Sequence, residues 1–184
     1  MFSFILSKCF NKVRSNNIKE SKAGIKMNEL RKMLMKHEGF RGMPYKCTAG
    51  KVTIGYGRNL DDVGLSEAEM VFLGVDSIEV AKAIGVSEYE AGVLLDNDIG
   101  NAIKGCRVLD VDFETLDNVR KDVLIDMMFN LGFGRLSKFK RTLQYIKERR
   151  FDDASVEMLC SKWAKQVHRR ANELSKMMET GKYS

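Results

Sequence analysis

From residue 27 onward, apolar side chains recur at helical spacing. Met27, Leu30 and Leu34 follow i, i+3, i+7, the stripe that one helix face turns toward a core, and Gly39 stands where a left-handed residue ends such a helix. Glu38 falls on the same stripe and is predicted to point inward. Between residues 43 and 57 the pattern changes, with β-branched and aromatic residues flanking Ala49-Gly50, which predicts a short hairpin. A loop of Ala49-Gly50-Lys51 would set Cys47 directly opposite Thr53 on one face, whereas a two-residue loop would set them on opposite faces.

The remainder reads as helices. Ser66-x-x-Glu69 and Ser87-x-x-Glu90 are capping boxes that open two of them, the second running to about residue 104. Val119, Val123, Leu124, Met127, Met128 and Leu131 predict a central buried helix over 117–131, ended by Gly132. Phe139, Leu143 and Ile146 form one amphipathic stripe. Val156, Leu159 and Trp163 are expected to form a second, with Trp163 in the core, and Ala171, Leu174 and Met178 a third before Gly181.

Composition agrees with a mainly helical chain that buries its own core. Of 184 residues 44% are apolar and one is proline, far below the ~5% typical of globular proteins. No apolar run approaches the ~18–20 residues that span a bilayer. Four scattered cysteines (Cys9, Cys47, Cys106, Cys160) offer neither a disulfide framework nor metal-ligand spacing, and no cofactor or metal is expected. Residues 1–26 carry a net +5, residues 27–134 a net −6, and residues 135–184 a net +7. The apolar stretch Phe2–Leu6 is shorter than the ~7–15 residues of a signal h-region. Residues 1–26 are therefore read as a basic extension without a signal peptide.

Glu38 is the first candidate for chemistry, because a carboxyl turned inward at a helix C-terminus meets desolvation and the negative end of the dipole. Both favour the protonated form that a general acid needs. The segment His37 to Gly57, HEGFRGMPYKCTAGKVTIGYG, then resembles the active-site signature of the phage-type lysozymes, the glycoside hydrolases related to phage T4 endolysin. In that family a Glu is followed nine residues later by Asp or Cys, and six residues after that by Thr in a Thr-Ile-Gly-x-Gly strand. Here these are Glu38, Cys47 and Thr53. The resemblance continues through Met127-Met128-Phe129-Asn130-Leu131-Gly132, Trp163-x-x-Gln166, Arg170-Ala171 and Thr180-Gly181, and covers about residues 27 to 182.

The resemblance implies an α+β, mainly α, two-lobed domain over 27–184, with a small N-terminal sheet and a helical C-terminal lobe. It implies cleavage of the β-1,4 bond between N-acetylmuramic acid and N-acetylglucosamine in peptidoglycan. Glu38 would be the acid, Thr53 would hold water or contact the sugar, and Phe129 and Thr142 would line the sugar cleft, although Phe129 lies on an apolar helix and reads first as core. Cys47 is a weaker partner than a carboxylate, since a thiol with pKa ~8.5 is mostly neutral at pH 7. Neighbouring Lys46 and Lys51 would have to favour the thiolate, and inverting and retaining outcomes both stay open. Arg58 stands where the family often carries His, with Asp98 as its matching acid. Arg170 is expected in contacts between helices or lobes, and neither His37 nor His168 has a partner pattern that points to catalysis or metal.

The enzyme reading is an endolysin-type muramidase, made in the host cytoplasm, acting as a monomer and released to the wall by a separate holin-like partner. Residues 1–26 would make transient contact with anionic membrane or wall polymers. The competing reading is a catalytically weakened peptidoglycan-binding or virion structural protein with the same fold. The basic last third also raises nucleic-acid binding, but no nucleic-acid motif or aromatic platform accompanies its charge, and no nucleic-acid partner is expected.

Overall fold

The computed structural model describes residues 29–47 and 50–184. The basic extension, Met27 and two residues of the hairpin loop lie outside the described residues. Helix α1 (Glu29–Glu38) buries Leu30, Met33 and Leu34. Gly39 stops it at φ +67, its amide donating to the Met35 carbonyl at 3.0 Å.

Strands β1 (Arg41–Lys46), β2 (Val52–Gly55) and β3 (Arg58–Asn59) follow as an antiparallel sheet in the order β1-β2-β3. The pairs Tyr45↔Thr53 and Lys46↔Val52 carry the register on toward a Cys47–Lys51 pair, with the Cys47 amide donating to the Lys51 carbonyl at 2.9 Å. Neither expected register forms. The chain turns between Cys47 and Lys51, where the Gly50 amide donates to the Cys47 carbonyl at 2.8 Å. Cys47 is therefore not opposite Thr53. Because side chains alternate along a strand, the register sets the two on the same side of the ladder, one diagonal step apart.

Helices α2 (Glu67–Leu73), α3 (Ile78–Ile84) and α4 (Glu88–Arg107) complete the first half. Both expected capping boxes are made, Ser66 with Glu69 and Ser87 with Glu90. At 1.5 Å per residue, α4 spans about 30 Å and joins the two lobes. Gly55 of the sheet packs against Ala91 near its start, and Met128 of the second lobe packs against Gly105 near its end. It runs three residues beyond the expected 104.

In the helical lobe, α5 (Asn118–Leu131), capped by the Asp117 side chain and ended by Gly132, occupies the centre with Val123, Leu124 and Met127 fully buried. The short α6 (Phe133–Leu136) leads to α7 (Lys140–Lys147), α8 (Phe151–Leu159), α9 (Lys162–Val167) and α10 (Arg169–Thr180). Helix α10 packs on both α8 and α5. Leu143, Ile146, Ala171, Leu174 and Met178 are buried as their stripes require.

The stripe drawn through Val156, Leu159 and Trp163 does not exist. Ser161 caps a new helix by accepting from the Ala164 amide, so Trp163 belongs to α9 and the periodicity is broken before it. Trp163 is buried, donating to Asn130 Oδ1 at 2.9 Å and meeting Phe139 edge-on, while Val156 and Leu159 are exposed. The fold is α+β and mainly helical, with the small sheet in the N-terminal part. Among the described residues no helix is long and apolar enough to cross a membrane.

Candidate active site

Glu38 is the last residue of α1, and its side chain is 19% exposed. Its Oε1 accepts from Arg170 Nη1 at 2.7 Å. Its Oε2 lies beside Gly57, in the turn between β2 and β3, where an added Cβ would stand 3.0 Å away. Gly57 also has φ +87, so a side chain there is opposed both by backbone conformation and by the carboxylate.

Arg170 lies in the first turn of α10 and binds two acids. Its Nε donates to Asp126 Oδ1 at 2.7 Å, and its Nη2 reaches the Asp126 carbonyl at 3.5 Å. Burial works against its charge, but Asp126 and Glu38 outweigh burial and raise its pKa further. Asp126 is 0% exposed on α5, and its other oxygen meets His37 Nδ1 at 2.9 Å. An ionised carboxylate only accepts, so Nδ1 carries the hydrogen in this contact. His37 Nε2 stands 3.6 Å from Glu173 Oε2, and Glu173 holds Lys36 Nζ at 2.9 and 3.0 Å. A chain of polar contacts thus ties the end of α1 to α5 and α10. His37, for which the sequence shows no partner, has one here.

Thr53 is 4% exposed in the middle of the sheet, paired to Tyr45 on one side and Asn59 on the other. Its hydroxyl donates to the Lys51 carbonyl at 3.2 Å, so toward any further group it acts as an acceptor. Tyr45 is within electrostatic reach of Glu38. Burial is the largest cause pushing its phenol up, Arg41 over its ring opposes it, and the charges of Glu38 and Cys47 add to it. Cys47 is half-buried and in no disulfide. Lys51 gives its ammonium to Asp62 at 2.8 Å and also interacts electrostatically with Cys47, as expected, while Lys46 is exposed.

The Arg58–Asp98 pair forms at 2.8 Å, but Arg58 does more than replace a histidine. It also grips Glu69 with two nitrogens at 2.7 and 3.0 Å and donates to the carbonyls of Gly64 and Leu94. Beside this cluster a cavity of about 550 Å³ is lined by Arg58, Ser66, Glu69, Asn97, Asn101 and Lys104. It touches neither Glu38 nor the hairpin face of Cys47 and Thr53.

Phe129 and Thr142 belong to the helical lobe. Phe129 is partly buried against the core on α5. Thr142 is 1% exposed on α7, and among the described residues nothing bonds its Oγ1. Among the described residues no three His, Cys, Asp or Glu side chains come together as a metal site.

The model of the family described as phage lysozyme matches residues 35–178, which contain Glu38, the hairpin, α4 and all but the last two residues of α10. The chain belongs to the phage lysozyme family. Two relatives in Dictyostelium discoideum support the placement. One, described as probable T4-type lysozyme 2, is 31% identical over 163 residues, covering 84% of this chain and 96% of the relative. The other, described as probable T4-type lysozyme 1, is 32% identical over 166 residues with the same coverage of each chain. Membership carries glycoside-hydrolase chemistry of the muramidase type, directed at peptidoglycan, at the level of the family.

Sequence reasoning missed Asp126, Glu69 and His37 as members of polar clusters. A signal for Asp126 was present. It is an acid amid Val123, Leu124, Ile125, Met127 and Met128, and a carboxylate at a buried position demands a cation from elsewhere in the chain.

Proposed function

We propose that this family member is an endolysin-type muramidase that cleaves the β-1,4 bond between N-acetylmuramic acid and N-acetylglucosamine and lyses the cell wall. The observation that carries the reading is the division of labour at Glu38. Arg170 holds one oxygen at 2.7 Å, and the other lies beside Gly57, in the turn that follows the strand bearing Thr53. Glu38 delivers a proton from its Oε2 to the departing glycosidic oxygen. As that bond lengthens, positive charge grows on the sugar ring.

Thr53 accepts a hydrogen bond from the attacking water, orienting it rather than deprotonating it, since a threonine hydroxyl is too weak a base. As its oxygen bonds to the anomeric carbon, the water gives up a proton to solvent, and solvent returns one to Glu38. Cys47, one diagonal step along the same face, supplies the polarisable group that faces the developing charge. On the helical lobe's side the candidates for the sugar cleft are Phe129, partly buried, and Thr142, itself 1% exposed, whose hydroxyl nothing bonds among the described residues.

Incubating the full chain with purified peptidoglycan and measuring new reducing ends tests this reading. The wild type releases muramic-acid reducing ends, and Glu38→Gln, which keeps the shape but carries no proton to give, falls by about 10²–10⁴-fold while staying folded. Turnover by the folded Gln variant near the wild-type rate removes Glu38 from the acid role.

Residues 27–184 form the catalytic domain in this proposal, and residues 1–26 act as an electrostatic tether. A chain beginning at Met27 then folds and cleaves, but binds anionic vesicles less at low salt. The difference shrinks as salt screens it. Release to the wall in this reading requires a separate membrane-permeabilising partner.

A further inference from the structure

The polar chain behind Glu38 runs deeper than the acid and its arginine. Arg170 is a single cation between two carboxylates, with Nη1 on Glu38 and Nε on Asp126, each at 2.7 Å. How strongly it holds Glu38 depends on how strongly Asp126 holds it. Asp126 is sealed from solvent, and its second oxygen is taken by His37 Nδ1 at 2.9 Å. His37 is the residue before Glu38 on the same helix, so the circuit leaves α1 through its penultimate residue, crosses α5 and α10, and returns to α1 at its last.

We propose that Asp126, steadied by His37, is a positioning residue that sets both the place of the Glu38 carboxyl and the share of Arg170's charge that reaches it. The inference rests on the reading of Glu38 as the acid. Asp126 contacts no substrate and acts only through Arg170.

The charged groups around the circuit come from each of its three helices. On α1, Lys36 stands beside His37. On α5, Asp122 lies one turn before Asp126 and has its carboxyl pushed up, mainly by burial and also by the Asp126 charge. On α10, Glu173 faces both His37 and Lys36. His37 Nε2 is buried with no hydrogen-bond partner among the described residues, the Glu173 oxygen being 3.6 Å away. The imidazole is thus committed to Asp126 by its other nitrogen.

The sign of the effect follows from charge. Asp126 and Glu38 share one guanidinium, so the pull of Arg170 on Glu38 depends on the charge at Asp126. Asp126→Asn keeps the shape and removes the charge, so the whole of Arg170 falls on Glu38. The pH above which turnover declines then moves down, and kcat drops about tenfold to a hundredfold because the carboxyl is drawn to the guanidinium and displaced. His37→Phe keeps a ring but removes the N–H, leaving the Asp126 charge less offset. It moves the same limb up, with a smaller loss in kcat. KM changes within about twofold in both, since neither residue touches the sugar.

The experiment is the pH profile of kcat and KM for wild type, Asp126→Asn, His37→Phe and Glu38→Gln on soluble uncross-linked peptidoglycan strands, with thermal melts to report folding. Opposite shifts of the alkaline limb with KM nearly constant support the proposal. Identical profiles, or shifts in one direction for both variants, overturn it even when the wild type cleaves and Glu38→Gln does not. If Asp126→Asn does not fold, His37→Phe alone decides, and an unmoved limb overturns the proposal. A wild type that releases no reducing ends overturns the acid reading and this inference with it.

Discussion

Arg58 and Glu69 meet fork to fork, with Nη2 to Oε1 at 2.7 Å and Nη1 to Oε2 at 3.0 Å, both side chains almost fully buried. The same Glu69 oxygens close the capping box on Ser66 and accept from Asn97, so one carboxylate joins β3, the start of α2 and α4. An imidazole offers two nitrogens, whereas a guanidinium offers five donors in a plane. Arg58 uses them on Asp98, Glu69 and two carbonyls.

Stability should therefore depend on pH through this cluster. Burial opposes the Glu69 charge, but hydrogen bonds from Arg58, Asn97 and Ser66 together hold its carboxyl down to about 2, against an ordinary 4.5. The folded value lies below the unfolded one, so its contribution is complete above pH ~4.5 and is lost as pH falls toward 2. Asp98 behaves oppositely, since burial outweighs Arg58 and pushes it up. Glu69→Gln is expected to cost about 2–3 kcal/mol at pH 7, with the gap to wild type closing below pH 4, while Asp98→Asn costs less. Urea unfolding at several pH values reads both differences.

Cys47 lies on the same side of the ladder as Thr53, where a carboxylate would serve the transition state better than a thiol. Cys47→Asp should retain activity and Cys47→Ala should lose most of it, measured as initial rates on purified peptidoglycan. Burial pushes the Cys106 thiol up to about 12, so it stays inert to alkylation at neutral pH. With Cys9 and Cys160 changed to Ser, iodoacetamide should therefore inhibit through Cys47. Full activity of the Ala variant would make the thiol a bystander.

Gly57 couples strain to chemistry. A methyl there meets φ +87 and Glu38 Oε2 at 3.0 Å, and the carboxylate is the group free to move. Gly57→Ala should cost about 1–2 kcal/mol in stability, since the left-handed backbone disfavours a Cβ. The fall in kcat should exceed what that loss explains, because the proton donor is displaced. Comparing the melting temperature with kcat at a temperature where both proteins are folded separates the two effects.

Thr142 carries a buried hydroxyl that nothing among the described residues bonds, and such a group costs more than a methyl of the same shape. Thr142→Val is expected to stabilise the fold by about 1 kcal/mol. If the hydroxyl serves the sugar, KM rises in the same variant. An unchanged KM assigns Thr142 to the core.

Much of the fold could be read along the chain because its rules are local. Periodicity, the serines three residues before Glu69 and Glu90, and glycines at helix ends concern residues within a turn or two of each other, and they mark most of the helices that form. The spacing of Glu38, Cys47 and Thr53 was legible through its resemblance to the family's signature. The hairpin register was not, because the residues around Gly50 allow more than one loop length and the pairing of Tyr45 with Thr53 is decided by the whole strand. The break between α8 and α9 was missed because Ser161 outweighs the apolar spacing that runs across it.

What only the tertiary structure decided is which charges meet. His37 finds Asp126 across 89 positions, Arg170 finds Asp126 across 44, and Arg170 finds Glu38 across 132. No local pattern encodes such meetings. They follow from the packing of α1, α5 and α10, which buries polar groups that must then be satisfied by whatever partners the fold brings within reach. The sequence by itself determined the helices, the caps and the candidate acid, because neighbouring residues settle them. The fold determined the electrostatic setting of that acid, because charges remote in the chain interact strongly only once burial removes the water between them.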